Sequence, residues 1–267
     1  MKIVSLMTDF GTGDFEIGAM CGVILSIAPE TNFADLTHDI PPQDVLDAAI
    51  LLSRHFFYFP PESIHVVVVD PGVGTARRPI AAMIKDQYYV GPDNGIITQI
   101  FREANKNNWP FKIVHTNKSE FWLPNISHIF HGRDIFSAIA GHLSSGVNIE
   151  QLGDIVFDPI LLDIPEARKI PGGLQGTVMR IDHFGNLESN IDQNWFEDKN
   201  KTVIVKCNQC EITGLVNTFG DAKDGDVVAM IDSSGQLSIC QVNGSAATSL
   251  NASVGTQIEV LFNEIEG

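Results

Sequence analysis

Ile64-His65-Val66-Val67-Val68-Val69 is a continuous run of apolar, mostly β-branched residues with one histidine among them. A strand wetted on one face alternates apolar with polar residues. This segment does not, so it is expected to be covered on both faces, as a central parallel strand flanked by helices is. It ends in Asp70-Pro71-Gly72-Val73-Gly74-Thr75, where Pro and Gly stop the strand and turn the chain.

The surrounding sequence fits that frame. Lys2 to Met7 reads as a short buried strand broken by Gly11 and Gly13, with Asp14 placed to start a helix. That helix carries Ile17, Met20, Ile24 and Ile27 on one face and stops at Pro29. A strand over Asn32 to Leu36 is followed by a helix introduced by Pro41-Pro42, with Val45, Ala48, Ala49, Leu52 and Phe56 at helical spacing. Further helices are expected over Ile96 to Ala104 and Asp134 to Leu143, with a strand over Lys112 to His115 between them. Alternating strands and helices predict an open α/β sheet domain over residues 1–160. Residues 161–173, with Pro165, Pro171 and two consecutive glycines, read as a linker. Residues 174–267 carry strands at Leu174 to Ile181, Lys201 to Lys206, Asp226 to Ile231, Gln236 to Val242 and Gln257 to Phe262. No amphipathic helix interrupts them in sequence, which predicts a small all-β barrel or sandwich.

Charge narrows the partners. Lys and Arg total 17 against 33 Asp and Glu, giving a net charge of -16 and a pI near 4.7. A nucleic acid would approach against that field, so no nucleic-acid partner is expected. Neither a signal peptide nor an apolar run of membrane-spanning length is apparent, which predicts a cytoplasmic chain with no membrane partner. Cys207-Asn208-Gln209-Cys210 is a lone CxxC without a second pair or an adjoining His. It reads as two strand or turn thiols rather than a zinc site.

Two acids sit where strands end: Asp9 after the first, Asp70 after the apolar run. If those strands are neighbours, both carboxylates reach one crevice at the carboxyl edge of the sheet; singly, each is equally an Asp capping a turn. The glycines after Asp70 match neither a phosphate-binding loop nor a dinucleotide fingerprint. Arg77 is close enough to fold back toward Asp70, whereas Arg78 reads as a surface arginine. His131 precedes a helix with Asp134 as its expected N-cap, and Gly91-Pro92-Asp93-Asn94-Gly95 reads as a tight turn that shapes the crevice. In the second half, Asp182-His183-Phe184-Gly185-Asn186 offers a ring beside an amide, as an adenine grip does, or else a strand-end turn with a buried Phe. Asn243-Gly244-Ser245-Ala246-Ala247 allows close backbone approach, or is an ordinary loop.

Thr8-Asp9-Phe10-Gly11, His38-Asp39-Ile40, Asp70 to Thr75 with Arg77-Arg78, Gly91 to Gly95, His131-Gly132-Arg133-Asp134 and Asp182 to Asn186 occur in one order along nearly the whole chain. In this the sequence resembles the S-adenosyl-L-methionine hydrolases, or SAM hydroxide adenosyltransferases, relatives of the fluorinating and chlorinating enzymes. The resemblance implies a Rossmann-like domain, a C-terminal β-barrel, and a homotrimer with active sites between the N-terminal domain of one subunit and the C-terminal domain of the next. It implies cleavage of S-adenosyl-L-methionine to adenosine and methionine by water or hydroxide, with no cofactor and no metal. The family's catalytic set falls on Asp70, Arg77 and His131. Asp9 matches the ribose-binding acid, Asp14 and Asp182 the contacts to the methionine ammonium, and Ser233 the turn facing the methionine carboxylate. Phe184, Asn186 and Phe219 match the adenine pocket, and Asn94 and Ala246 complete the substrate-binding set. Asp70 and Gly132 stand where the halogenating relatives carry Tyr and Ser, which implies hydroxide as nucleophile. Glu188-Ser189 departs from a more usual apolar-Thr ending beside the adenine pocket. Two rival readings are a metal-dependent hydrolase using Asp9, His38, Asp70 and His131, and a non-catalytic protein that senses S-adenosylmethionine or adenosine.

Overall fold

The computed structural model describes residues 2–196 and 201–264. It divides into two compact units, Met1–Asp163 and Ile164–Gly267. In chain order the first contains β1 (Ile3–Thr8), α1 (Glu16–Ile27), β2 (Asn32–Phe33), α2 (Val45–His55), β3 (Ile64–Val68), β4 (Pro79–Ile84), β5 (Gln87–Pro92), α3 (Thr98–Lys106), β6 (Phe111–His115), α4 (Ala138–Ser144) and β7 (Asp154–Ile155). Its sheet runs β2-β1-β3-β5-β4-β6-β7. β3 is buried along its full length and lies parallel to both β1 and β5, as its unbroken apolar run requires. Separate apolar clusters cover the two faces of this sheet: Met20, Ile24, Phe136 and Ile139 on one, Ala48, Leu52, Phe56 and Ile100 on the other.

Several local expectations shift. Asp14 does not start α1: the cap is Phe15, without a side-chain cap, and Asp14 stays exposed. The strand expected over Asn32 to Leu36 is reduced to two residues, although Ala34 and Leu36 still donate to the Val4 and Leu6 carbonyls of β1. The largest omission is the β4–β5 hairpin. Its turn uses Lys85 at φ +57, a side chain with no turn signature, so nothing in the local sequence marks it. Gly91 and Pro92, expected in a tight turn, form the end of β5. Asp134 is not an N-cap: it is fully buried within a wide helical turn, Gly132–Ser137, that leads into α4.

The second unit is antiparallel and contains β8 (Arg168–Ile170), β9 (Gly173–Ile181), β10 (Leu187–Asp192), β11 (Lys201–Cys207), β12 (Cys210–Thr213), β13 (Val227–Ile231), β14 (Gln236–Gln241), a short α5 (Ala246–Ser249) and β15 (Gln257–Glu264). The order is β12-β11-β15-β9-β10-β14-β13, with β8 beside β9. The end strands β12 and β13 approach one another, so the sheet curls into a nearly closed barrel around Leu174, Val178, Leu187, Ile239 and Ile258. Part of the stretch read as a linker, 168–170, is thus strand β8.

Candidate active site

Thr8 and Val68 are register partners at the carboxyl ends of β1 and β3, so Asp9 and Asp70 leave the sheet from neighbouring strands. From β1 the chain builds β2 on one side, then returns through α2 to place β3 on the other. Open α/β sheets bind ligands at such a switch of direction.

The turn after Asp70 is tight, with Val73 donating to the Asp70 carbonyl at 3.1 Å and Thr75 to the Gly72 carbonyl at 3.1 Å. Gly74 holds a φ of +76, and a Cβ there would strike the carbonyl oxygen of His128. That close approach seats the turn against the loop that carries His131. Arg77 then folds back. Its Nε donates to both Asp70 oxygens, at 3.0 and 2.9 Å, and its Nη2 donates to Oδ2 at 2.5 Å. Nη2 also reaches His131 Nδ1 at 2.8 Å. The Arg77 and Asp70 side chains are 9% and 5% exposed, and the guanidinium lies 5.1 Å from the centre of the buried Phe136 ring. Two charges this buried are tolerable only because the fork and the carboxylate satisfy each other.

Arginine has donors and no acceptor, so His131 Nδ1 must accept and the imidazole must be neutral, with its proton on Nε2. The same state follows from the surroundings: burial first, then the Arg77 charge, lowers the His131 pKa. Gly132 is buried behind it, where a Cβ would touch Met20, Phe130 and Val68 at 3.4 Å. Asp134 braces the loop by accepting from the Ser127 amide at 2.7 Å and from Arg133 Nε at 2.6 Å.

The other expected residues of this unit divide. Asn94 donates to the Val69 carbonyl at 2.9 Å and so fixes the backbone just before Asp70. Asp9 accepts the Gln43 amide at 2.8 Å on one oxygen, while Thr8 at its base pairs with His38 Nδ1 at 3.0 Å. Asp14 stays in the exposed loop before α1. Arg78 is not a free surface arginine: it bonds buried Asp93 at 2.8 Å and the Asp158 carboxylate at 2.8 Å, which raises its own pKa. Among the described residues, no group of three or more His, Cys, Asp and Glu is placed to hold a metal ion. Of the four residues in the metal reading, Asp70 and His131 are bonded to Arg77, and His38 to Thr8.

The second unit carries a cavity of about 380 Å³ lined by Phe184, Asn186, Phe219, Gln241, Asn243 and Gly244. The three residues expected around an adenine, Phe184, Asn186 and Phe219, therefore share one wall system. Phe184 is 73% exposed and Phe219 46%, which excludes the strand-end turn with a buried Phe. Asp182 shapes the turn, accepting the Phe184 and Asn186 amides at 2.9 Å each and the Asn186 side chain at 2.8 Å. Gly185 at φ +84 leaves no room for a Cβ against Ser245, and its carbonyl accepts the Ala247 amide at 3.0 Å. The 182–186 and 243–247 loops are thereby joined. Ala246 differs from expectation: its methyl is fully buried in the barrel core and does not line the cavity. Ser233 lies exposed in the turn at the far end of β14 from Gln241, roughly 17 Å away by the rise of a strand. Gln241 and the ring of Phe136 were missed; the only sequence signal for Gln241 is its place at a strand end before Asn-Gly.

Two family models match the chain: the SAM hydroxide adenosyltransferase N-terminal domain over residues 4–153, and the C-terminal domain of the same name over 176–259. A relative from Salinispora tropica, "(R)-S-adenosyl-L-methionine hydrolase", is 35% identical across 96% of this chain and 97% of its own length. A "Fluorinase" from Actinoplanes sp. is 25% identical, covering 97% of each chain. The crystal structure of an uncharacterized conserved protein from Thermotoga maritima superposes with a TM-score of 0.88 at 33% identity, covering 97% of this chain and 99% of that one.

Proposed function

Because the chain belongs to the SAM hydroxide adenosyltransferase family, we propose that it is a hydrolase that splits S-adenosyl-L-methionine into adenosine and L-methionine. Water attacks the ribose 5′ carbon in line with the departing sulfur. A sulfonium leaves as a neutral thioether, so neither an acid nor a metal is required at sulfur. The demand falls on water, whose pKa in bulk is about 15.7.

The Arg77 bridge between Asp70 and His131 is the observation that carries this reading. Asp70 Oδ1 accepts a single N–H from Arg77, and a carboxylate oxygen has a second lone-pair site. That site takes the water proton as the carbon–oxygen bond forms. The guanidinium holds the carboxylate in place and stabilises developing hydroxide. His131, with Nδ1 engaged, presents Nε2–H and orients the oxygen.

In the second unit, Phe184 and Phe219 stack on the adenine, as aromatic rings do on bases. Asn186 spends one amide hydrogen on Asp182, leaving its carbonyl oxygen for the exocyclic amine of the base. Asp9 binds the ribose hydroxyls, Asp14 and Asp182 the methionine ammonium, and Ser233 the carboxylate. The active form is a homotrimer in the cytoplasm.

Incubation of the purified protein with S-adenosyl-L-methionine is expected to release adenosine and methionine in equal amounts by chromatography, with no loss of rate in chelator. Tight binding without adenosine, at high protein concentration and long times, would identify a sensor instead. Activity should also fade on dilution as subunits separate; full activity from monomers would overturn the trimer.

A further inference from the structure

Cys207 and Cys210 stand directly opposite one another across the two-residue turn that joins β11 to β12. Opposed residues of an antiparallel pair project to the same face, with Cα atoms about 4.5–5.5 Å apart, inside the range a disulfide spans. Both are free thiols. Cys207 is 1% exposed in the barrel core, while Cys210 packs on the edge of the same cluster and reaches solvent. Between them, Asn208 adopts φ +54 and its side-chain amide donates to the Leu250 carbonyl at 2.8 Å and the Asn251 carbonyl at 3.2 Å. Those carbonyls close α5, whose preceding loop supplies Asn243 and Gly244 to the cavity wall.

We propose that Cys207 and Cys210 are a dithiol–disulfide pair, oxidised by small-molecule disulfides, whose state is transmitted through Asn208 to the 243–252 wall of the aromatic cavity. The Cys210 thiolate attacks one sulfur of glutathione disulfide and expels one glutathione thiolate. The Cys207 thiolate then attacks Cys210 Sγ in the mixed disulfide and expels the second. Two electrons pass from the cysteine pair to the glutathione disulfide, and the two cysteine protons end on two glutathione thiols. Burial, with a smaller contribution from Cys210, raises the Cys207 pKa, so the solvent-reaching Cys210 makes the first attack and Cys207 reacts only within the mixed disulfide already held beside it. The covalent closure limits opening of the turn and keeps Asn208 on its two carbonyls. Cys240, held at a pKa of about 12 by burial and nearby acids, is inert.

The test is a titration of the whole protein in glutathione buffers, read by intact mass and by hydrogen exchange without any ligand, so that it stands apart from what the cavity binds. The expected oxidised form has lost two hydrogens, with Cys207 joined to Cys210, and exchange over 243–252 slows by about threefold or more. Cys207→Ser should trap one glutathionyl group on Cys210, and Asn208→Ala should form the disulfide without the slowed exchange. Absence of the Cys207–Cys210 bond at every buffer ratio overturns the pair. A bond that leaves exchange over 243–252 unchanged overturns the transmission.

Discussion

The two regions proposed to meet the substrate are built on opposite principles. Around Asp70, Arg77 and His131, charged and polar groups are withdrawn from solvent and spend their hydrogen bonds on each other. Around Phe184 and Phe219, large rings stand in solvent, over a turn that the Asp182 carboxylate holds in shape. The first arrangement is fixed before any ligand arrives and suits chemistry, because preorganised charges need no rearrangement in the transition state. The second gains most of its contact energy only when a flat partner covers the rings.

Replacing the acid should break the comparison most strongly. Asp70→Ala is expected to lower kcat about a thousandfold, within the range for a removed proton acceptor, while KM moves less than about threefold. Steady-state adenosine release measures both, and a KM that rises as far as kcat falls would move Asp70 into the binding set.

Acid should separate the two units next. His65 is fully buried between Ser5, at 2.7 Å, and Gln87, at 2.7 Å, and burial lowers its pKa from 6.5 to about 4. The unfolded chain therefore binds a proton that the folded chain refuses between those values. Stability is complete above pH 6.5 and falls as pH drops toward 4, by about 3 kcal/mol for this group. Seven of the eight histidines lie in the first unit, so its amides should lose exchange protection in this window before those of the barrel. A His65→Gln variant should flatten the dependence; an equally steep fall in that variant would remove His65 as the cause.

The smallest effect belongs to the rings. Phe184→Ala should raise KM about tenfold, as loss of one stacking contact does, with kcat nearly unchanged. A fall in kcat with KM intact would mean that the ring acts on the reacting atoms and that the two regions are not divided as described.

Much of this was legible locally. The apolar run placed β3, and the Asp-Pro-Gly after it marked where the strand ends. The hairpin of β4 and β5 was not legible, because its turn is made by Lys85-Asp86 rather than by Gly or Asn. Arg77 could be placed near Asp70 from seven residues' separation, but the shared Nη2 that also engages His131 could not. Arg78 read as a surface arginine and is instead tied down, because its partners, Asp93 and Asp158, come from other loops.

The sequence alone determined that β1 and β3 are buried strands and that Asp9 and Asp70 close them, since burial period and turn chemistry are written there within a few consecutive residues. Tertiary structure decided that β1 and β3 are neighbours, that the Arg77 guanidinium reaches a histidine 54 positions away, and that Ala246 faces the core while Gln241 faces the cavity. Strand order and side-chain direction depend on contacts between distant segments, and no local pattern encodes them.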